Sequence, residues 1–176
     1  MSDVVEEKVV SEKNTTEIGN KLAGKYLTFK LGEEEYGLEI LKVQEIIQMQ
    51  EVTHVPRTPD YVRGVINLRG KVIPVIELRR KFGMQPHEDT EKTCIIVVQI
   101  ADDAHAITMG IIIDEVKEVL DIDVASIEET PAFGESTSTE FIMGMGKVGD
   151  TVKMLLDINK VLSDSDINSL AKIARK

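Results

Sequence analysis

The chain has 176 residues, enough for one domain or two small ones to bury a core without disulfide bonds or a structural metal. Its 31 acidic and 21 basic residues give a net charge of −10, which argues against nucleic acid or a membrane surface as a partner. One cysteine, Cys94, cannot form an intrachain disulfide, and no apolar stretch suits a signal sequence or a membrane span. We therefore expect a cytoplasmic protein.

The N-terminal part of the chain changes character near residue 24. Residues 1–23 are polar and charged without hydrophobic periodicity, which predicts a flexible tail. Beyond them, Leu27, Phe29 and Leu31 alternate with polar residues, which is the period of a half-buried strand. An acidic turn at 32–35 leads into a second alternation, so a β-hairpin is predicted here.

Most of the remaining chain consists of short apolar segments separated by turns. Aromatic residues make up only 4% of the chain, so Val, Ile, Leu and Met must fill the interior. Many short strands of this kind are typical of barrels or of a sandwich. Pro74 predicts an edge or a bulge in its strand, because proline cannot donate a ladder hydrogen bond. The further strands are predicted at 65–69, 72–78, 94–100, 106–113, 116–122, 141–148 and 151–157.

Helical segments are few and short. Helical turns are predicted at 40–43, 59–62 and 78–82. A terminal helix is predicted from Asp164 to Ala174, with Ser163 as its N-cap, because apolar residues recur there at core-facing spacing.

Two blocks of the sequence recur in the same order. Residues 43–47, Val-Gln-Glu-Ile-Ile, are echoed 73 positions later by residues 116–120, Val-Lys-Glu-Val-Leu. A second block recurs 80 positions later, where Val152 corresponds to Val72 and Gly144 corresponds to Gly64. Any two β-rich segments share some pattern, but two matched blocks in one order favour a duplicated barrel.

Groups that could carry catalysis are missing from the sequence pattern. An enzyme needs a nucleophile, a proton-transfer pair or a metal site, and we find none at a workable spacing. His54, His87 and His105 are scattered singly and are expected at the surface. Cys94 opens an apolar run, which predicts a buried and inert thiol. The glycine-rich residues 144–149 precede a strand rather than a helix, so they are not expected to bind phosphate, and no cofactor is expected.

One further feature of the sequence is a carboxylate among apolar residues, Glu45. Glu45 lies between Val43 and Ile47, and such a carboxylate needs a cation as its partner. Because the planar fork of arginine is the best partner, we predict an ion pair between Glu45 and Arg69. The residues alone leave open whether this is an ordinary surface pair or part of a groove for a protein partner.

Several motifs together resemble the CheW family of chemotaxis coupling proteins. The resemblance extends over about residues 25–162, and Glu77 stands where aspartate is usual in that family. The same fold also forms the regulatory domain of the partner kinase, CheA. The motifs are Phe29-x-Leu31-Gly32-x-Glu34-x-Tyr36-Gly37-Leu38, Val43-Gln44-Glu45-Ile46, Tyr61-Val62-Arg63-Gly64-Val65-Ile66-Asn67-Leu68-Arg69-Gly70, Pro74-Val75-Ile76-Glu77-Leu78-Arg79 and Gly110-Ile111-Ile112-Ile113-Asp114-Glu115-Val116.

This resemblance implies a mainly β fold of two five-stranded SH3-like β-barrels that share a hydrophobic interface, with short helices and a C-terminal helix. Residues 1–23 would form the tail, 24–162 the CheW-like domain and 163–176 the terminal helix. The two barrels would span roughly 24–80 and 90–160, with exchange of strands between them allowed.

The resemblance also implies a non-catalytic adaptor. Such proteins couple the cytoplasmic tips of methyl-accepting chemotaxis receptors to the regulatory domain of the histidine kinase CheA, in arrays at the inner membrane. The receptor-facing residues that it implies are Val43, Glu45, Arg69, Cys94 and Val119. The kinase-facing residues that it implies are Arg63, Gly64 and Gly70, where a Cβ at Gly64 would block the close approach of another backbone.

Two other classes of function stay open on the sequence. A regulatory β-barrel module that binds a small ligand would need a roomy apolar pocket between its barrels, and a packed interface there would count against it. A hydrolase or transferase would need an unfamiliar catalytic site, which the pattern of histidines and cysteine does not favour.

Overall fold

A computed structural model describes residues 18–101, 106–131 and 140–174. Its helices are α1 (residues 18–22), α2 (Leu78–Lys81), α3 (Ile158–Val161) and α4 (Asp164–Ala174). The prediction of a mainly β fold with short helices and a C-terminal helix is confirmed. The strands are β1 (Gly24–Leu31), β2 (Glu34–Glu39), β3 (Val43–Gln48), β4 (Val62–Leu68), β5 (Lys71–Glu77), β6 (Cys94–Ala101), β7 (Ala106–Ile113), β8 (Glu115–Ile122), β9 (Ile127–Glu128), β10 (Ile142–Val148) and β11 (Thr151–Leu156).

The strands form two sheets. The first has six strands in the order β8-β1-β2-β11-β10-β9, and the second has five in the order β3-β6-β7-β5-β4. Two five-stranded SH3-like barrels were expected; in the described part of the chain the first sheet has six strands, and neither hydrogen-bond ladder closes into a barrel. The SH3-like arrangement is compatible with these open sheets, since side chains can span the remaining gap between the edge strands.

Each sheet contains one strand that follows, in the sequence, a hairpin of the other sheet. β3 follows the β1–β2 hairpin but pairs with β6 of the second sheet, and β8 follows the β6–β7 hairpin but pairs with β1 of the first. The first sheet therefore contains both ends of the described chain, and the second contains its middle. The division into subdomains at 24–80 and 90–160 stays a prediction.

The repeat seen in the sequence recurs in the strand registers. Gly37 of β2 pairs in parallel with Leu155 of β11, and Gly110 of β7 pairs in parallel with Val75 of β5. Gly110 lies 73 residues after Gly37, and Leu155 lies 80 residues after Val75, which are the two sequence offsets. The β4–β5 and β10–β11 hairpins also have irregular strand pairing at matching positions, immediately before Gly64 and Gly144. The sheets are thus two copies of one strand arrangement.

Three hydrophobic clusters hold the sheets. The largest lies between them and takes side chains from β1, β2, β6, β7 and the helices, while the other two lie against one sheet each. β6 serves two clusters, because Ile96 and Val98 belong to the central one and Ile95 and Val97 to that of the second sheet. Burial on both faces explains why β6 is continuously apolar rather than alternating.

β1 is more deeply buried than its alternating sequence predicts. Phe29 and Leu31 are fully buried in the central cluster, but Tyr26 and Thr28, on the other side, are also only 1% exposed. The Thr28 hydroxyl donates to the Glu118 carbonyl (2.7 Å) and accepts from the Glu118 amide (3.1 Å). The side chain thereby replaces ladder bonds at the irregularity between β1 and β8.

Local expectations about turns and proline are partly met. The predicted helical turns at 40–43 and 78–82 appear as the 3₁₀ turn Ile40–Lys42 and as α2. Residues 59–62 form only a turn, since the Val62 amide donates to the Pro59 carbonyl (3.0 Å) and β4 then begins. β5 is an interior strand, but its pairing with β7 begins only at Val75, so the strand has a free edge at Pro74.

The N-terminal expectation concerns residues that the structure describes only in part. Residues 1–17 lie outside the described residues, while α1 lies within the predicted tail. Leu22 at its end is 8% exposed, packs against Tyr26 and accepts a hydrogen bond of 2.6 Å from the tyrosine hydroxyl. A helix that packs against β1 therefore precedes the first strand. Among the described helices, none has the length and apolar composition that crossing a membrane requires.

α4 is fixed at its start by a network of polar groups. Ser163 caps the helix as predicted, because its hydroxyl accepts from the Asp166 amide (3.2 Å) while the Asp166 carboxylate accepts from the Ser163 amide (3.0 Å). The same carboxylate accepts from Lys81 Nζ (2.7 Å) and from the Tyr61 hydroxyl. Ile167 and Leu170 then pack the helix onto the central cluster.

We predict that Gly64→Ala destabilises the fold by about 2–4 kcal/mol, because the added Cβ would lie 2.0 Å from the Thr53 carbonyl oxygen at a φ of +149°. Gly70→Ala is the matched control, since Gly70 also has positive φ (+87°) but no atom within 4 Å of the added Cβ, and should cost about 1 kcal/mol. Urea unfolding of both variants measures the difference. Equal losses would contradict the close approach of Thr53.

We also predict that the stabilisation by Asp166 depends on pH. Desolvation raises the pKa of this carboxyl, but the hydrogen bonds from Lys81, Tyr61 and Ser163 outweigh it and hold the pKa well below its usual range. A lowered folded-state pKa gives stability that is present above about pH 4 and is lost as the pH falls further. The melting temperature of Asp166→Asn should therefore lie below that of the parent protein at pH 7 and approach it below pH 4. A difference that stays constant with pH would contradict this.

Candidate functional site

β3 is an edge strand whose outer surface is accessible. Its residues alternate between partly buried and exposed, and Val43, Glu45 and Ile47 are the partly buried ones. An irregularity in the pairing with β6 falls between Val43 and Glu45. Glu45 thus lies at the rim of the second sheet, beside an apolar row.

Arg69 lies at the tip of the β4–β5 hairpin, at the opposite edge of the same sheet. Leu68 pairs with Lys71, so Arg69 and Gly70 are the two turn residues, with φ of +52° and +87°. Positive φ at both positions is the mark of a type I′ turn. The Gly70 amide donates to the side-chain oxygen of Asn67 (2.7 Å), which fixes the turn.

The predicted ion pair between Glu45 and Arg69 is present. Arg69 Nη1 donates to Glu45 Oε1 (2.8 Å) and Nη2 donates to Oε2, so the contact is bidentate. The pair joins β3 and the β4–β5 hairpin, the two ends of the strand order, across a gap that no ladder closes. The hydrogen bonds from Arg69 lower the pKa of the Glu45 carboxyl, so the pair is charged at neutral pH.

The positive φ of Arg69 is unfavourable for a residue other than glycine, which indicates that its side chain is needed at this position. A Cβ makes the left-handed conformation unfavourable, and glycine is the residue that adopts it without strain. The hairpin tip of the other copy, between Val148 and Thr151, does have glycine there, Gly149 with φ of +60°. Strained residues are concentrated at functional sites, where surrounding structure compensates for them. Arg69 is therefore a candidate functional residue on geometric grounds.

The other residues of the expected receptor-facing groove lie on the edge strands β3 and β8 and on the interior strand β6. Val43 lies near Glu45, whereas Cys94 begins β6, opposite Gln48 at the far end of β3. Burial raises the pKa of the half-buried Cys94 thiol, which keeps it protonated. Val119, half exposed, lies on β8, the edge strand of the first sheet.

Ile46 is a surface residue that the sequence reasoning missed. Its side chain is 44% exposed on β3, and Val119, 73 positions later, is 50% exposed on β8. The two edge strands therefore present one exposed aliphatic residue each at matching positions of the repeat. The offset of 73 was the signal that could have found Ile46.

The expected kinase-facing residues lie in two separate places. Arg63 and Gly64 are at the beginning of β4, and Gly70 is beyond its other end, about 20 Å away at the usual rise of a strand. Gly70 is thus beside the Glu45–Arg69 pair. Gly64 has an internal reason to be glycine, since the Thr53 backbone bonds Val65 on both sides (2.9 Å each) and leaves no room for a Cβ.

Arg63 is the centre of a second charged cluster. Its guanidinium donates to both carboxylate oxygens of Asp89 (3.0 and 3.1 Å) and to Glu77 (2.8 Å), and Glu77 also pairs with Arg80 (2.9 Å). A surface cleft of about 540 Å³ opens here, between the segment that contains His54 and the loop that carries Asp89. Asp60 and Glu88 also line the cleft, so its carboxylates outnumber its two arginines.

The described residues offer little for a metal ion. No group of three or more His, Cys, Asp or Glu side chains arranged to hold one occurs among them. His54 and His87 are exposed, as expected, and His105 lies outside the described residues.

Comparison with known proteins identifies the family. The model of the CheW-like domain matches residues 25–166. The chain is 38% identical to the chemotaxis protein CheW of Klebsiella aerogenes over 161 residues, which cover 89% of this chain and 95% of that protein. It is 31% identical to CheW of Treponema pallidum over 151 residues, which cover 84% and 86% of the two chains.

A solved structure agrees with this assignment. The crystal structure of the scaffolding protein TtCheW from Thermoanaerobacter tengcongensis superimposes with a TM-score of 0.70 at 36% identity, covering 80% of this chain and 92% of that one. The duplicated strand arrangement, the Glu45–Arg69 pair and the motifs along β4 and β5 all lie within the matched residues. The chain belongs to the CheW-like family of chemotaxis proteins.

Proposed function

We propose that this protein is a scaffold that couples methyl-accepting chemotaxis receptors to the histidine kinase CheA. Membership of a family of chemotaxis scaffold proteins supports the coupling role and the absence of catalysis. The observation that carries the proposal is the bidentate Glu45–Arg69 pair, held by a strained turn at a sheet edge. The protein would act in the cytoplasm, recruited to receptor arrays at the inner membrane.

The receptor tip would bind along the edges formed by β3 and β8. Val43 and Val119 would contribute apolar contact area, with Cys94 at the end of the row, and Glu45 and Arg69 would mark the surface with charge. Such a surface suits a protein partner, because aliphatic side chains supply contact area and a fixed ion pair supplies register.

The regulatory domain of CheA would bind at the other end of β4. Arg63 there presents a guanidinium that is 28% exposed beside a cleft, and Gly64 lets the Thr53 segment lie close to the strand. Gly70 would support the receptor-facing turn instead, because it is adjacent to Arg69. The two partners would then occupy separate faces.

A ligand-binding barrel module is the weaker alternative. The side chains between the two sheets are fully buried, among them Ile76, Ile96 and Ile111, so the interface is packed where such a module would need a pocket.

We predict that Glu45→Arg weakens binding to a receptor tip fragment by at least about tenfold without lowering the melting temperature by more than a few degrees. Reversal of charge beside Arg69 replaces an attraction by a repulsion at the surface and creates no cavity. Titration calorimetry with a receptor fragment measures the affinity.

Glu128→Arg is the matched control for Glu45→Arg. Glu128 pairs with Lys147 (2.8 Å) on the first sheet, so the substitution changes the net charge equally but away from β3. It should leave receptor binding unchanged. Equal weakening by both variants, or a collapse of stability in Glu45→Arg alone, would contradict a receptor-facing role for Glu45.

We further predict that Arg69→Gly separates stability from binding. Glycine relieves the positive φ at the turn, as Gly149 does in the other copy, while the side chain that meets Glu45 is lost. The melting temperature should therefore change by only a few degrees, and receptor binding should fall by about tenfold or more. Unchanged binding would show that Arg69 serves the fold alone.

A further inference from the structure

A second arginine adopts the same disfavoured conformation as Arg69. Among the described residues, two that are not glycine have positive φ, Arg69 (+52°) and Arg57 (+63°). Glycine or asparagine would adopt this conformation at lower cost, so arginine is conformationally strained at both positions. Arg69 has its role in the pair with Glu45, and Arg57 has none so far.

Arg57 occupies a defined turn. Pro56 fixes the first central position and Arg57 takes the second, the combination of a type II turn, in which the second position favours glycine. The Thr58 hydroxyl donates to the Val55 carbonyl (2.9 Å) and closes the turn.

The segment that carries this turn is held at both ends. Thr53 exchanges two backbone hydrogen bonds with Val65 (2.9 Å each), and the Val62 amide donates to the Pro59 carbonyl (3.0 Å). Thr58 and Pro59 also line the cleft beside Arg63. The Arg57 side chain therefore starts from a fixed backbone next to that cleft.

The guanidinium of Arg57 is unpaired within the described chain. Arg63, Arg69, Arg79 and Arg80 each form an ion pair with a carboxylate, whereas the exposed Arg57 forms none with any described residue. Glu77 and Asp89 at the cleft are already bonded to Arg63. No ion pair within the described chain therefore explains a strained arginine here, although the protein has a net charge of −10.

We propose that Arg57 anchors a protein partner by binding a carboxylate on it, and that the cleft beside Arg63 receives the surrounding contact. Resting on the proposed function, the partner is the regulatory domain of the kinase, since Arg63, one of the residues expected to face the kinase, lines the same cleft. Arginine suits this task because its fork bonds a carboxylate through two parallel hydrogen bonds.

The test compares Arg57→Asn with Arg57→Lys in the full chain. Asparagine tolerates positive φ, so the fold should melt at the same temperature or higher, while binding to the CheA regulatory domain should weaken by about five- to fiftyfold. Lysine keeps the charge and the strain, and should lose less affinity. Binding of the parent protein and of Arg57→Asn should differ less at high salt, because screening weakens the contact.

Three results would overturn the proposal. Parent-like kinase binding by Arg57→Asn would remove Arg57 from the interface, a lowered melting temperature would assign it to the fold, and a selective loss of receptor binding would assign it to the other partner. The proposed function fails separately, when the parent protein itself does not bind the kinase domain.

Discussion

The exchange of β3 and β8 between the two sheets is the constraint on which the rest of the structure depends. Each strand follows one hairpin in the sequence and pairs with the other, so neither sheet is complete without the chain that builds its neighbour. The central hydrophobic cluster lies between the sheets and draws on both. Separation of the sheets would expose that cluster, and unfolding of either block of sequence would remove a strand from both sheets, which makes them one cooperative unit.

This construction holds two exposed faces in a fixed relation. β4 extends from the Arg63 cluster to the turn of Arg69, about 20 Å away, and both ends are tied by ion pairs to other elements. A scaffold transmits a signal only if it binds differently in the active and inactive assemblies of its partners. A stiff strand between the two proposed docking surfaces would let a change in one contact alter the geometry offered to the other.

Much of the fold followed from local pattern, because hairpins, turns and capping depend on neighbouring residues. The Ser163 cap was predictable in this way. The offsets of 73 and 80 were predictable from recurrence along the sequence, and the Glu45–Arg69 pair from the need of a carboxylate in apolar surroundings for a cation. Exchange of strands between the two units was allowed for, but the identity of the exchanged strands, β3 and β8, was not predictable, since strand pairing depends on distant contacts that one sequence does not reveal. The close approach of Thr53 to Gly64 was not predictable either, because it too is a contact between distant segments. The positive φ of Arg57 has no sequence signal, because the residue is not glycine.

The coupling role itself is tested most directly by reconstitution. Receptor fragments and CheA are held at constant concentration while this protein is titrated, and kinase autophosphorylation is followed with and without receptor. The account predicts that activity changes with the amount of this protein, saturates, and does so only when receptor is present. Activity that is independent of this protein, or that responds to it equally without receptor, would contradict a scaffold that joins the two partners.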